Sequence, residues 1–118
     1  MAGYRVGRVS EDIKREIVAV IRELKDPRVK DKILTVVRVD VSSDLSFAKV
    51  YVSSMSGIED AKEAVKGLTS ATGLIRREVG SKLHLRKTPE LKFIADDSIE
   101  YGMNIVKKLE ELSGSNDD

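Results

Sequence analysis

The chain has 118 residues, with 21 Lys and Arg against 20 Asp and Glu and 41% apolar residues, which suits one soluble globular domain able to bury a core unaided. It has no cysteine, so disulfides, thiolate ligands and cysteine nucleophiles are excluded, and a reducing, cytoplasmic setting is expected. No apolar run nears the ~20 residues of a membrane-spanning helix, and the N-terminus lacks the apolar core of a signal peptide.

Val6, Val9, Ile13, Ile17, Val20 and Leu24 step by three or four, which predicts an amphipathic helix. Ser10 is a candidate cap, with Glu11 and Asp12 favouring the positive helix end; the alternative is a start near Val6. Asp26-Pro27 ends it, because a residue before proline is driven out of helical angles. Arg8, Arg15 and Arg22 recur every seven residues along one outer edge, beside an acidic edge of Asp12, Glu16 and Glu23. That stripe reads equally as a binding face and as a solvated face with pairs such as Glu11–Arg15.

Val37, Val39 and Val41 then alternate with Arg38 and Asp40, and Ala48, Val50 and Val52 alternate with Lys49 and Tyr51. These are two half-buried strands, joined through Ser42-Ser43-Asp44 as an antiparallel hairpin. Helical spacing returns with Ala61, Ala64, Val65 and Leu68, meets SATG, and resumes with Ile75, Val79 and Leu83. LKFIA is a third strand with Leu91, Phe93 and Ala95 on one face. A last helix carries Ile99, Met103, Val106 and Leu109, with Ser98 as its cap. The strands have one apolar side, so the helices must cover it, giving a two-layer α+β domain with a three-stranded sheet over residues 1–112 and an acidic flexible tail at 113–118.

Charge is uneven along this chain. Residues 1–30 hold 8 basic and 5 acidic side chains, residues 70–92 hold 6 and 2, and residues 93–118 hold 2 and 7. Two basic segments and an acidic end form an asymmetry that a polyanion would feel. In the 70–92 segment Arg77, Gly80, Ser81 and His84 fall opposite the apolar face, Arg76 lies at its flank, and Arg86 and Lys87 follow. Counting places Lys82 on the core side, where snorkelling or an early helix end would accommodate it. Gly73 sits where two helical patterns meet and is expected to end the first in a left-handed conformation. The second helix then starts with unpaired N–H groups near Arg76 and Arg77, a setting that attracts phosphate. Gly80 either opens the exposed face to a phosphate backbone or is a tolerated surface glycine.

Catalytic patterns are missing: there is no phosphate-binding loop motif, no HExxH, no Gly-x-Ser-x-Gly and no zinc-ligand set. His84 reads as a surface residue near a helix end, and Asp96 and Asp97 as charges favouring a helix start. The few aromatics, Tyr4, Phe47, Tyr51, Phe93 and Tyr101, are too scattered for a base-stacking platform.

The element order resembles a type II KH domain, a fold that binds nucleic acid through a Gly-x-x-Gly loop between two helices. No Gly-x-x-Gly occurs in the chain; Ala71-Thr72-Gly73 stands in its place. With KDPRV at 25–29, VRVDVSSDLSFAKVYVS at 37–53, SATGLIRREVG at 70–80 and LHLRKTPELKF at 83–93, the chain resembles the ribosome-binding factor A family of bacterial small-subunit assembly factors. The resemblance implies a KH-like fold with Ala71, Thr72 and Gly73 as an interhelical kink. It implies binding to the free 30S subunit, help in late maturation and processing of 16S rRNA, a link to growth in the cold, and no catalytic activity, cofactor, metal, membrane or small-molecule substrate. A free monomer is expected. The candidate RNA contacts are Arg76, Arg77, Lys82, Arg86 and Lys87, with Arg8, Arg15, Arg22 and Arg28 on the first basic segment. The competing reading is a small α+β protein-interaction domain without direct RNA contact, whose binding would vary little with salt.

Overall fold

The computed structural model describes residues 2–98, with side chains from residue 8 on; the helix expected over 99–109 and the tail at 113–118 lie outside the described residues. The first helix, α1, runs Ala2–Glu23. It therefore starts earlier than either expected position, and Ser10 lies within it rather than capping it. Ile13 and Ile17 on α1 are fully buried, and Val9, Val20 and Leu24 pack against the same core. This is the expected stripe.

A four-residue helix that the apolar spacing does not reveal, α2, follows at Pro27–Lys30. Its start is encoded in three residues. Asp26 sits at the N-cap in extended conformation, as proline at the next position demands, and its carboxylate accepts the Arg28 amide at 2.9 Å. The single turn drives Val29 into the core. It docks on α3 (Ile58–Ser70) where Gly67 removes a side chain: a Cβ there would lie 2.8 Å from Val29 Cγ2 and 3.3 Å from Arg28 Cβ.

The hairpin strands are β1, Leu34–Val41, and β2, Phe47–Ser54, paired antiparallel. The register slips between Val36 and Arg38, leaving Val37 as a bulge. Val36 and Val39 are consequently the buried pair, and Val37 is not on the core face where strict alternation places it. The turn uses more than Ser42-Ser43-Asp44, because Leu45 takes a left-handed conformation with φ 61°. Asp44 Oδ1 accepts from the Ser42 hydroxyl at 2.8 Å, the Ser46 hydroxyl at 2.7 Å and the Ser46 amide at 3.1 Å. Strand β3, Glu90–Ala95, lies parallel to β2, giving a mixed sheet in the order β1-β2-β3. A parallel partner requires a crossover; α3 and α4 (Thr72–Leu83) supply it.

Helix α1 packs on β1 and α4, and α3 packs on β2 and β3. The apolar residues meet between them: Ala48, Val50, Val52 and Phe93 from the sheet, Leu68 from α3, and Ile75 and Val79 from α4. On the other sheet face Arg38 stacks 4.3 Å over the Tyr51 ring and lies 3.2 Å from Asp40. Among the described residues no helix is long and apolar enough to cross a membrane.

Two carboxylates in these turns titrate low. The Arg28 guanidinium and amide hold Asp26 at about 2, and the Ser46 and Ser42 hydroxyls with the Ser46 amide hold Asp44 at about 2, against an ordinary 3.8. Folding therefore favours their charged forms. Their stabilisation is complete above the ordinary value and is lost as pH falls toward the folded one. Denaturation of the wild type, Asp26→Asn and Asp44→Asn between neutral and acid pH is expected to show each variant less stable at neutrality and converging on the wild type near pH 2.

Candidate nucleic-acid interface

The junction between α3 and α4 consists of one residue. Ala71 has φ −95° and ψ 9°, a conformation outside both helices that needs no glycine. Its N–H is shared between the Gly67 and Leu68 carbonyls, and its carbonyl accepts the Ile75 amide at 2.9 Å. Thr72 turns its hydroxyl back to donate to the Thr69 carbonyl at 2.8 Å, satisfying an acceptor at the end of α3. The kink therefore belongs to Ala71, with Thr72 as its tie.

Gly73 does not end α3 in a left-handed conformation; it lies in the first turn of α4, and among the described glycines only Gly57 has positive φ. A Cβ at 73 would meet nothing within 4 Å. Neither backbone angles nor packing calls for glycine there, and no side chain caps the start of α4. The helix thus opens without a side-chain cap, and the space beside Gly73 is clear. Arg28 reaches this region too: it pairs bidentately with Asp26, with its shortest contact at 2.7 Å, and its Nη2 lies 3.5 Å from Ser70 Oγ.

The other end of α4 is closed by local geometry. His84 is exposed and left-handed, with φ 52° and ψ 41°. Its N–H donates to the Ser81 carbonyl at 3.4 Å and the Leu85 N–H to the Gly80 carbonyl at 3.0 Å, while Leu85 packs on the core. This is the Schellman arrangement, in which glycine usually occupies the His84 position. His84→Gly is expected to raise stability by about 0.5–1 kcal/mol in urea unfolding, since relief of left-handed strain exceeds glycine's entropy cost.

Beyond His84 the chain doubles back along α4. Arg76 Nη2 donates to the Thr88 carbonyl at 2.9 Å and its Nε to the Pro89 carbonyl at 3.1 Å. The Thr88 hydroxyl occupies the space a Cβ at Gly80 would take. Gly80 is thus neither an opening for phosphate nor an idle surface position, but the seat of Thr88. Arg77, Arg86 and Lys87 are exposed.

Lys82 is also exposed and not on the core side. The buried arc of α4 is centred between Ile75, Val79 and Leu83, so Lys82 falls at its rim. There it lines a groove with Glu78 of α4 and Glu16 and Glu23 of α1. Arg15 and Arg22 face a separate depression with Glu11 and Lys14. Arg15 pairs with Asp12 at 3.0 Å rather than with Glu11. Arg8 is exposed on the same helix. The α1 arginines and the α4 basic segment are not merged into one patch; an acidic edge stands between them.

Among the described residues no group of His, Asp or Glu could hold a metal ion. The fold is an α+β domain of type II KH order in which the interhelical loop has shrunk to one residue, with exposed cations along the second helix and its exit loop. Residues 5–109 match the family model for ribosome-binding factor A. The chain is 49% identical to ribosome-binding factor A of Acetivibrio thermocellus over 113 residues, 95% of this chain and 91% of that one. The crystal structure of ribosome-binding factor A from Thermus thermophilus superposes with a TM-score of 0.67 at 28% identity, covering 76% of this chain and 93% of that one. A homology model of the Thermus thermophilus factor, fitted into a cryo-EM map of a complex with the 30S subunit, superposes with a TM-score of 0.58 at 30% identity over 70% of this chain and 86% of that one. The chain belongs to the ribosome-binding factor A family.

Proposed function

We propose that this protein binds the free 30S ribosomal subunit in the cytoplasm and assists late maturation and processing of 16S rRNA, as a non-catalytic factor that is monomeric when free. The observation that carries this reading is the likeness to the Thermus thermophilus factor placed in a 30S complex. The mechanism is steric. Phosphate contacts from Arg77, Arg86 and Lys87, with the open start of α4 at Gly73, supply affinity. The shape of the folded rRNA supplies selection. The bound factor holds an rRNA segment in a maturation-competent arrangement and blocks premature use of the subunit, a demand that grows in the cold as misfolded RNA becomes harder to escape.

Co-sedimentation with purified 30S, 50S and 70S particles tests this reading. Binding to 30S alone, weakening as salt rises, is the expected result. Binding to none of them at low salt would leave only the fold, and salt-insensitive binding would favour a protein-contacting module.

A further inference from the structure

We propose that Arg76 serves subunit binding without touching RNA: it is a positioning residue that pins the 84–89 loop along α4 and presents Arg86 and Lys87 already ordered. The inference rests on the reading of this loop as part of the subunit-binding face.

The geometry is that of a clamp. The guanidinium places two donors of its planar fork on two consecutive carbonyls, those of Thr88 and Pro89, at 2.9 and 3.1 Å. Both carbonyls precede β3, so they lie outside the sheet ladder and would otherwise look to water. One turn further along the same helix face, Gly80 gives up its side-chain space to the Thr88 hydroxyl. Pro89 is fully buried and Leu85 packs on the core. The loop is therefore held at 85, 88 and 89. Arg86 and Lys87, between these anchors, are exposed and make no ion pair among the described residues. Long cationic side chains on a fixed backbone lose less freedom on binding than the same side chains on a mobile one. A fork spent on two backbone carbonyls is also poorly placed to grip a phosphate bidentately. Lysine cannot reproduce this role, because a single ammonium does not span two carbonyls with fork geometry.

The test compares R76K and R76Q with R38K, R86Q/K87Q and G80A, in equilibrium binding to purified 30S subunits and in limited trypsin digestion of the free protein. R76K keeps the charge and loses the fork. It is expected to weaken binding about tenfold, nearly as much as R76Q, the cost of ordering two long side chains at binding instead of beforehand. R38K is expected to bind within about twofold of the wild type, since Arg38 lies on the sheet face away from α4 and its exit loop, stacked over Tyr51. Adding R76K to R86Q/K87Q costs little more than R86Q/K87Q alone, because Arg76 acts through the two side chains already removed. Trypsin is expected to cut after Arg86 and Lys87 faster in R76K, R76Q and G80A than in the wild type, at nearly unchanged thermal midpoints. G80A displaces Thr88 without altering any charge and so tests the loop independently of Arg76. Wild-type binding by R76K overturns the proposal, as does additivity of R76K with R86Q/K87Q. Unchanged trypsin cutting in R76K and G80A overturns the clamp itself. If R86Q/K87Q alone binds like the wild type while cutting still accelerates in R76K and G80A, the subunit-face reading of the loop is what has failed, and the presentation role falls with it.

Discussion

Replacing Arg77, Arg86 and Lys87 together with glutamate is expected to lower affinity for the 30S subunit by about a hundredfold or more at moderate salt, because each reversal removes a phosphate contact and adds a repulsion. All three side chains are exposed, and none has an ion-pair partner among the described residues. Nothing in the fold depends on them, so the thermal midpoint is expected to move little. Reversing Arg15 and Arg22 instead should cost much less. Arg15 is already neutralised by Asp12 at 3.0 Å, and the acidic edge of Glu16 and Glu23 separates that helix face from α4. Competition binding to purified 30S particles measures both variants against the wild type.

Ile75→Ala is expected to destabilise the protein by about 2–5 kcal/mol in urea unfolding, the usual cost of a fully buried large-to-small change. Ile75 is 0% exposed and belongs to the cluster that joins α1, α3, α4 and the sheet. Its amide makes the first hydrogen bond of α4, to Ala71, so its side chain anchors the helix directly after the kink. Against a typical total of about 5–15 kcal/mol the loss is a large fraction of the stability. Ile75→Val, which removes one methyl group, should cost only about 0.5–1.5 kcal/mol. If the alanine variant unfolds with the wild-type midpoint, α4 is not seated on the sheet as described.

Much of this fold can be read from spacing alone. The stripe Ile13–Ile17, the alternation Ala48–Val50–Val52 and the pair Ile75–Val79 all bury where their periods place them. The departures share a cause, which is that one residue's place depends on another far along the chain. Strict alternation points Val37 inward, but the bulge that turns it away from the core is set by pairing with β2. Helical counting points Lys82 inward, but it lies exposed at the rim of the buried arc, where Glu16 and Glu23 of α1 line the same groove. Gly73 reads as a left-handed helix end; alanine at 71 takes the break at negative φ, which no local rule demands.

The candidate site is legible as a segment and not as a set of roles. The run of cations from Arg76 to Lys87 is visible in composition. That Arg76 faces backbone carbonyls while Arg77 faces solvent depends on the loop returning along α4, and the only local hint is the glycine at 80, one turn on. Arg28 reads as a candidate RNA contact on the first basic segment. The Asp-Pro-Arg sequence does carry a signal for its true surroundings, since aspartate before proline is an N-cap pattern, and the cap places the guanidinium over the same carboxylate.

Whether α4 and its exit loop bind phosphate is decided most sharply by the salt dependence of the 30S association constant, measured for the wild type and for the R77E/R86E/K87E variant. A logarithmic plot against salt should be linear and steep for the wild type and shallower by about two to three for the variant, as expected when three phosphate contacts are lost. Equal slopes for the two proteins would contradict the assignment of phosphate binding to α4 and its exit loop.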